Sequence, residues 1–195
     1  MTRAADRILV RAVAVLLLGL LPLGERASAD ALDGVLEVQS AFMNVNAGVY
    51  QLHARIRYPV NEQMAAALRD GVSLSFSLDA AIERSRRLWL DAEVTSLTLR
   101  RELTFHTVSE RYVVRDARSG EQATFPTLDA ALENIGTVEG WPVLVASQLR
   151  ADGEYSVRVR AGMRRGKLPD ALRVLLFWTD DWQRESEWYS WSLPR

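Results

Sequence analysis

The stretch VSLSFSLDAAI, residues 72–82, alternates apolar and polar side chains almost without a break. Val72, Leu74, Phe76, Leu78, Ala80 and Ile82 fall on one parity, and Ser73, Ser75, Ser77, Asp79 and Ala81 on the other. A strand sends successive side chains to opposite faces, so this segment has one buried face and one wet face. A parallel sheet, covered on both sides, would show a continuous apolar run instead. The segment therefore predicts an antiparallel sheet with one face on a core.

The same period recurs outward in both directions. Tyr50, Leu52, Ala54, Ile56, Tyr58 and Val60 oppose Gln51, His53, Arg55, Arg57 and Pro59. Residues 35–42, 97–105, 111–115, 143–149, 155–161, 172–178 and 182–193 alternate similarly, with a shorter run around Trp89. Two stretches switch to helical signals. NEQMAAALRDG, residues 61–71, offers Asn61 as N-cap, Met64, Ala65 and Leu68 as an apolar stripe, and Gly71 as the stop. PTLDAALENIG, residues 126–136, repeats the plan with Thr127, then Leu128, Ala131, Leu132 and Ile135, then Gly136. The expected fold class is mainly β: an antiparallel β-sandwich-like domain of about nine strands with two short helices.

The N-terminus belongs to a different category. Arg3, Arg7 and Arg11 precede the apolar run AVAVLLLGLLPL, and Ala27-Ser28-Ala29 follows as a small-x-small exit. That order describes a secretory signal peptide over residues 1–29, cleaved after Ala29. The apolar run is about a dozen residues, short of the roughly 20 that span a bilayer. A retained inner-membrane anchor is the alternative, and it would be the only membrane attachment. The expected product is a single periplasmic domain over residues 30–195. The chain has no cysteine, which excludes disulfides and lipidation at a processed N-terminal cysteine. Residues 1–29 hold four arginines and two acids, leaving 20 basic against 23 acidic residues, near −3. That balance argues against nucleic acid as a partner.

Catalytic and cofactor signals are sparse. His53 and His106 both fall on the polar parity of their strands, and no HExxH or Cys-His spacing marks a metal site. Neither GxSxG, SxxK, P-loop nor GxGxxG occurs, so no catalytic residue, nucleotide or cofactor is expected. Binding candidates come from two features. The first is aromatic: FWTDDWQRESEWYSW, residues 177–191, holds four of the six tryptophans. Parity places Trp182, Arg184, Ser186 and Trp188 on one face and Trp191 on the other, so the four rings cannot form one platform unless a bulge shifts the register. Trp182, beside the expected turn, and Trp188 are the surface candidates, and Trp89 joins them. The second is GMRRGKLPD, residues 162–170, in which Arg164, Arg165 and Lys167 form a basic loop suited to an anionic partner.

Taken in order, several motifs resemble an exported family of unknown function found mostly in β- and γ-proteobacteria, DUF4390. They are Ala67, Leu68, Gly71, Val72, Leu74 and Phe76; Arg84, Arg86, Trp89 and Asp91; Leu103, Phe105 and His106; Phe125, Thr127, Leu128, Ala131 and Leu132; Leu168 and Pro169; and Trp182, Ser186, Trp188 and Trp191. Leu88-Trp89 departs from the pattern, where two or three aromatics are expected. The resemblance implies a periplasmic protein whose gene often lies beside a membrane sensor histidine kinase. The expected function is a non-catalytic periplasmic binding or accessory module whose partner is a membrane-bound envelope protein such as that kinase. One alternative is a small-ligand or glycan binder using the tryptophan-rich hairpin. Another is an envelope hydrolase joining His53 or His106 to a carboxylate and a serine.

Overall fold

A computed structural model describes residues 34–85, 92–150, 152–166 and 183–193. The protein is mainly β, and the described residues form two antiparallel sheets and two α-helices in a sandwich-like arrangement. The expected strand 172–178 lies outside the described residues. The small sheet has the order β1 (Glu37–Asn46), β2 (Val49–Arg57), β7 (Thr137–Val145). The large sheet runs β10 (Tyr189–Ser192), β8 (Tyr155–Arg165), β3 (Leu74–Arg84), β4 (Ala92–His106), β5 (Arg111–Asp116), β6 (Gln122–Phe125), and β9 (Gln183–Glu185) also pairs with β8.

The opening stretch behaves as its alternation requires. Leu74, Phe76, Leu78, Ala80 and Ile82 are all at most 2 % exposed, while Ser75, Ser77 and Asp79 reach the outer face. Each buried member sits between matching residues of its neighbours, such as Phe76 between Met163 of β8 and Arg101 of β4. Leu52, Ala54 and Ile56 of β2, with Val138 and Trp141 of β7, close the core from the small sheet. Burying such side chains stabilises by about 1.5–3 kcal/mol each, so the facing of the two sheets is the main source of stability.

Each helix carries the chain from one sheet to the other, and a third crossing, from β7 to β8, has no α-helix. Helix α1 (Glu62–Arg69) joins β2 to β3, and α2 (Leu128–Gly136) joins β6 to β7. Asn61 and Thr127 cap them as the sequence predicts, accepting from Met64 N at 2.7 Å and Ala130 N at 3.2 Å. Gly71 adopts φ +87° and ends α1 with the paired bonds Val72 N–H to Ala67 O and Gly71 N–H to Leu68 O. That pairing requires a left-handed residue, which glycine adopts without strain.

Gly136 corrects the sequence reading. It is the last residue of α2 rather than a left-handed stop. It is buried against β2, and a β-carbon there would overlap the Ile56 carbonyl oxygen. Close approach is what selects glycine here. The helix then passes into β7 without a loop, so β7 begins well before the expected 143–149. Gly140, at φ +61°, and the exposed Pro142 interrupt its alternation; an edge strand tolerates both. Residues 146–148 form a 3-10 turn instead of continuing the strand.

A charged residue on the core side ties α2 to the large sheet. Arg101 of β4 donates through one terminal nitrogen to Asn134 O at 2.8 Å, Ile135 O at 3.0 Å and Thr137 O at 3.2 Å. These carbonyls include the orphan acceptors of the helix C-terminus, which a cation also suits electrostatically. Burial lowers the Arg101 guanidinium pKa, with Asp116 and Tyr58 acting in the opposite direction. Burial likewise pushes the neighbouring Tyr58 hydroxyl well above its ordinary range.

Candidate functional site

The outer face of the large sheet is built from the polar parities of β3, β4 and β8. Arg158, Arg160, Gly162 and Arg164 of β8 alternate with the buried Val157, Val159, Ala161 and Met163. Opposite them β3 presents Ala81, Asp79, Ser77 and Ser75, and β4 presents Ser96, Thr98, Arg100 and Glu102. The middle strand therefore carries short side chains beside the arginines of β8, with Arg100 and Glu102 of β4 on its other side. Its charges are largely paired. Arg158 meets Glu83 at 2.6 Å, and Arg160 meets Glu185 at 2.6 Å and Asp79 at 3.7 Å. Thr98 Oγ1 donates to Asp79 at 2.7 Å. Partly exposed pairs of this kind contribute at most about 1 kcal/mol each. Their larger effect is to fix the guanidinium groups in place.

Trp188 lies on those groups. The guanidinium carbons of Arg158 and Arg160 are 4.7 and 4.6 Å from its ring centroid. Both Nε atoms are shielded from solvent and lack an oxygen partner, and the indole π-face is the group against them. Cation–π attraction compensates in part, at about 0.5–1 kcal/mol per cation near the surface. Trp188 keeps 38 % of its surface exposed.

Ser186 puts the ring there. Between β9 and β10 the edge alongside β8 is interrupted, and Ser186 fills the gap. Its N–H donates to Ala161 O at 2.8 Å, its Oγ accepts from Ala161 N at 3.0 Å and donates to Glu187 O at 2.9 Å. One serine thus satisfies both backbone groups of a buried β8 residue and lets residues 186–188 arch outward. The arch changes the parity expected from sequence. Arg184, paired with Met163, lies on the inner side, whereas Trp188 lies on the outer side. Trp191, opposite Val157, packs against the core. Trp188 and Trp191 do occupy opposite faces, as alternation requires.

The other candidates separate. Arg164 and Arg165 are not a loop but the last two residues of β8. Arg164 is exposed on the outer face, and Arg165 is half-buried on the inner parity opposite Leu74. They cannot grip one ligand together. Trp89, Trp182 and Lys167 lie outside the described residues. Arg158, Arg160 and Arg100 were missed as site residues, although the alternation YSVRVRAG places two of them on one outer row. Arg100 and Arg164 are exposed and have no acidic partner among the described residues.

The hydrolase arrangement meets a different geometry. His106 and Ser109 do come together, Nδ1 to Oγ at 2.9 Å, but in an exposed turn whose Ser109 N–H also points at Nδ1. No carboxylate orients this imidazole among the described residues. Ser40, His53 and Glu139 line a hollow of about 210 Å³ on the small sheet. There His53 Nε2 is buried without a hydrogen bond, and the ring stacks on Phe42 at 4.8 Å. His53 Nε2 thus makes no hydrogen bond to the Ser40 hydroxyl in this hollow. A wider cleft of about 860 Å³ opens between α1, the β4–β5 turn and the start of α2. Its polar lining includes Asn61 and Thr127, which already act as helix caps. Among the described residues no group of three or more His, Asp or Glu could hold a metal ion, and no helix is long and apolar enough to cross a membrane.

No curated protein and no solved structure matches this chain. The family model for a domain of unknown function, DUF4390, matches residues 34–192, and the chain belongs to that family.

Proposed function

We propose that this protein is an exported, non-catalytic binding module of the cell envelope that docks on a membrane-bound protein through the outer face of its large sheet. The observation that carries the reading is Trp188, half-exposed and held on two ion-paired arginines by the Ser186 arch. Tryptophan and arginine dominate the energetic centres of protein interfaces, and fixing them beforehand lowers the entropy cost of binding. Arg100 and Arg164, which have no acidic partner among the described residues, flank this centre as cations, which suits acidic groups on the partner. Export is supported by the charge, apolar run and Ala-Ser-Ala exit at the N-terminus. The family resemblance favours the periplasmic part of a sensor histidine kinase as that partner.

The test is the variant Arg100→Glu with Arg164→Glu, which keeps the fold because both side chains are exposed. Protein recovered from the periplasm should begin at Asp30 and co-purify with one membrane protein after crosslinking in cells. The double variant is expected to lose that association by at least about tenfold, the equivalent of 1.4 kcal/mol. Unchanged recovery would remove the reading. The same exposed ring also supports sugar stacking. Tryptophan fluorescence that responds to an envelope glycan, and fails to respond in Trp188→Ala, would favour that second reading.

A further inference from the structure

The sheet edges are not equally protected. β6 has four residues, β9 three and β10 four, too short to template much pairing. β7, at one edge of the small sheet, is broken by Gly140 and carries the exposed Pro142. These are the usual ways in which edges are blunted. β1, at the other edge, has an irregularity at Gln39 near its start and none of these features beyond it. It is ten residues long with no proline and no lysine, and its only charge is Glu37 at the start. No strand among the described residues pairs with its outer side. Two large apolar side chains on it are open to solvent, Phe42 at 55 % and Val45 at 54 %.

The register of β1 also limits what can pair with it. Its pairing to β2 is regular from Ser40 to Asn46, bounded by an irregularity at Gln39 and by the tight turn at Ala47-Gly48. Within that segment Ala41, Met43 and Val45 take the inner parity, and Ser40, Phe42 and Asn44 the outer. The midpoint is Met43. A two-fold axis through Met43, perpendicular to the sheet, would place a second β1 antiparallel to the first with every face preserved. Ala41 would then oppose Val45 of the other copy, and Phe42 would oppose Asn44. The two Phe42 rings would be diagonal neighbours, about 7–8 Å apart at the backbone. The paired segment carries no charge, so like charges nowhere face each other.

We propose that β1 is a self-association edge, through which two copies join their small sheets into one continuous six-stranded sheet centred on Met43. This proposal does not depend on the docking face, since β1 belongs to the other sheet. Closed two-fold pairing satisfies both edges at once and leaves no further strand to recruit.

The absence of cysteine makes the register directly measurable. Mature protein carrying Phe42→Cys is mixed with protein carrying Asn44→Cys and oxidised mildly. Directly opposed antiparallel residues fall within disulfide range. The mixed 42–44 dimer is expected to exceed either like-with-like dimer by at least about fivefold, and Val108→Cys, at an exposed turn, to give none. In sedimentation the unmodified protein is expected to dimerise with concentration, and Phe42→Lys to weaken this at least about tenfold while keeping its circular dichroism. A monomer at every concentration would overturn the proposal. So would crosslinking that ignores position, or aggregates beyond a dimer.

Discussion

At the scale of single residues, Ser186 decides where the candidate site stands. Its hydroxyl and amide replace a missing piece of strand beside Ala161, and only then can residues 186–188 lift Trp188 onto Arg158 and Arg160. Ser186→Ala removes the acceptor of a buried N–H, which costs about 1–3 kcal/mol. Urea unfolding should show that loss. Hydrogen exchange should accelerate at Ala161 more than at Val157, and Trp188 emission should shift to the red as the ring comes free. Unchanged exchange at Ala161 would mean that the arch is held by something else. The sequence pointed to Trp188 and Arg164 but not to this arrangement. Period-two reasoning assumes an unbroken strand, and a buried serine that interrupts pairing leaves no mark in composition.

At the scale of elements, the chain writes its strands clearly and its joins poorly. The runs that become β2, β3 and β8 are legible because one face of each is almost wholly apolar. Both helices are legible from their caps. Arg101 is the counterexample: it occupies an inner position of β4, where alternation expects an apolar residue, because the C-terminal carbonyls of α2 end there. Arg101→Met keeps much of the volume but takes a donor from three carbonyls, of which Asn134 O still accepts from the Thr137 N–H. Stability should fall by about 3 kcal/mol, checked by denaturant unfolding, and the early exchange should map to α2. A loss under 1 kcal/mol would show those carbonyls to be solvated instead. β6 escaped notice because it is short and polar. The start of β7 escaped because Gly140 and Pro142 read as breakers, which an edge strand accommodates. The β1–β2 turn escaped because Ala47, at φ +50°, is not a residue that signals a left-handed turn.

At the scale of the whole molecule, the two sheets divide the work. Their facing surfaces form the core, the helices carry the chain between them, and the two remaining surfaces differ in kind. The large sheet turns outward a lattice of ion pairs with one tryptophan set into it. The small sheet offers an open edge with Phe42 and Val45 upon it. The proposed role requires the Trp188 face to meet a membrane-bound partner. A photo-crosslinking residue placed in turn at Ser190, Thr98 and Val108 in the full chain tests it in living cells. Ser190 and Thr98 flank the Trp188 centre, and Val108 is exposed at a distant turn. The expected outcome is one adduct with the same membrane protein from Ser190 and Thr98, none from Val108, and loss of the adduct when Trp188→Ala is added. Adducts from Val108 alone, or adducts indifferent to Trp188, would contradict it.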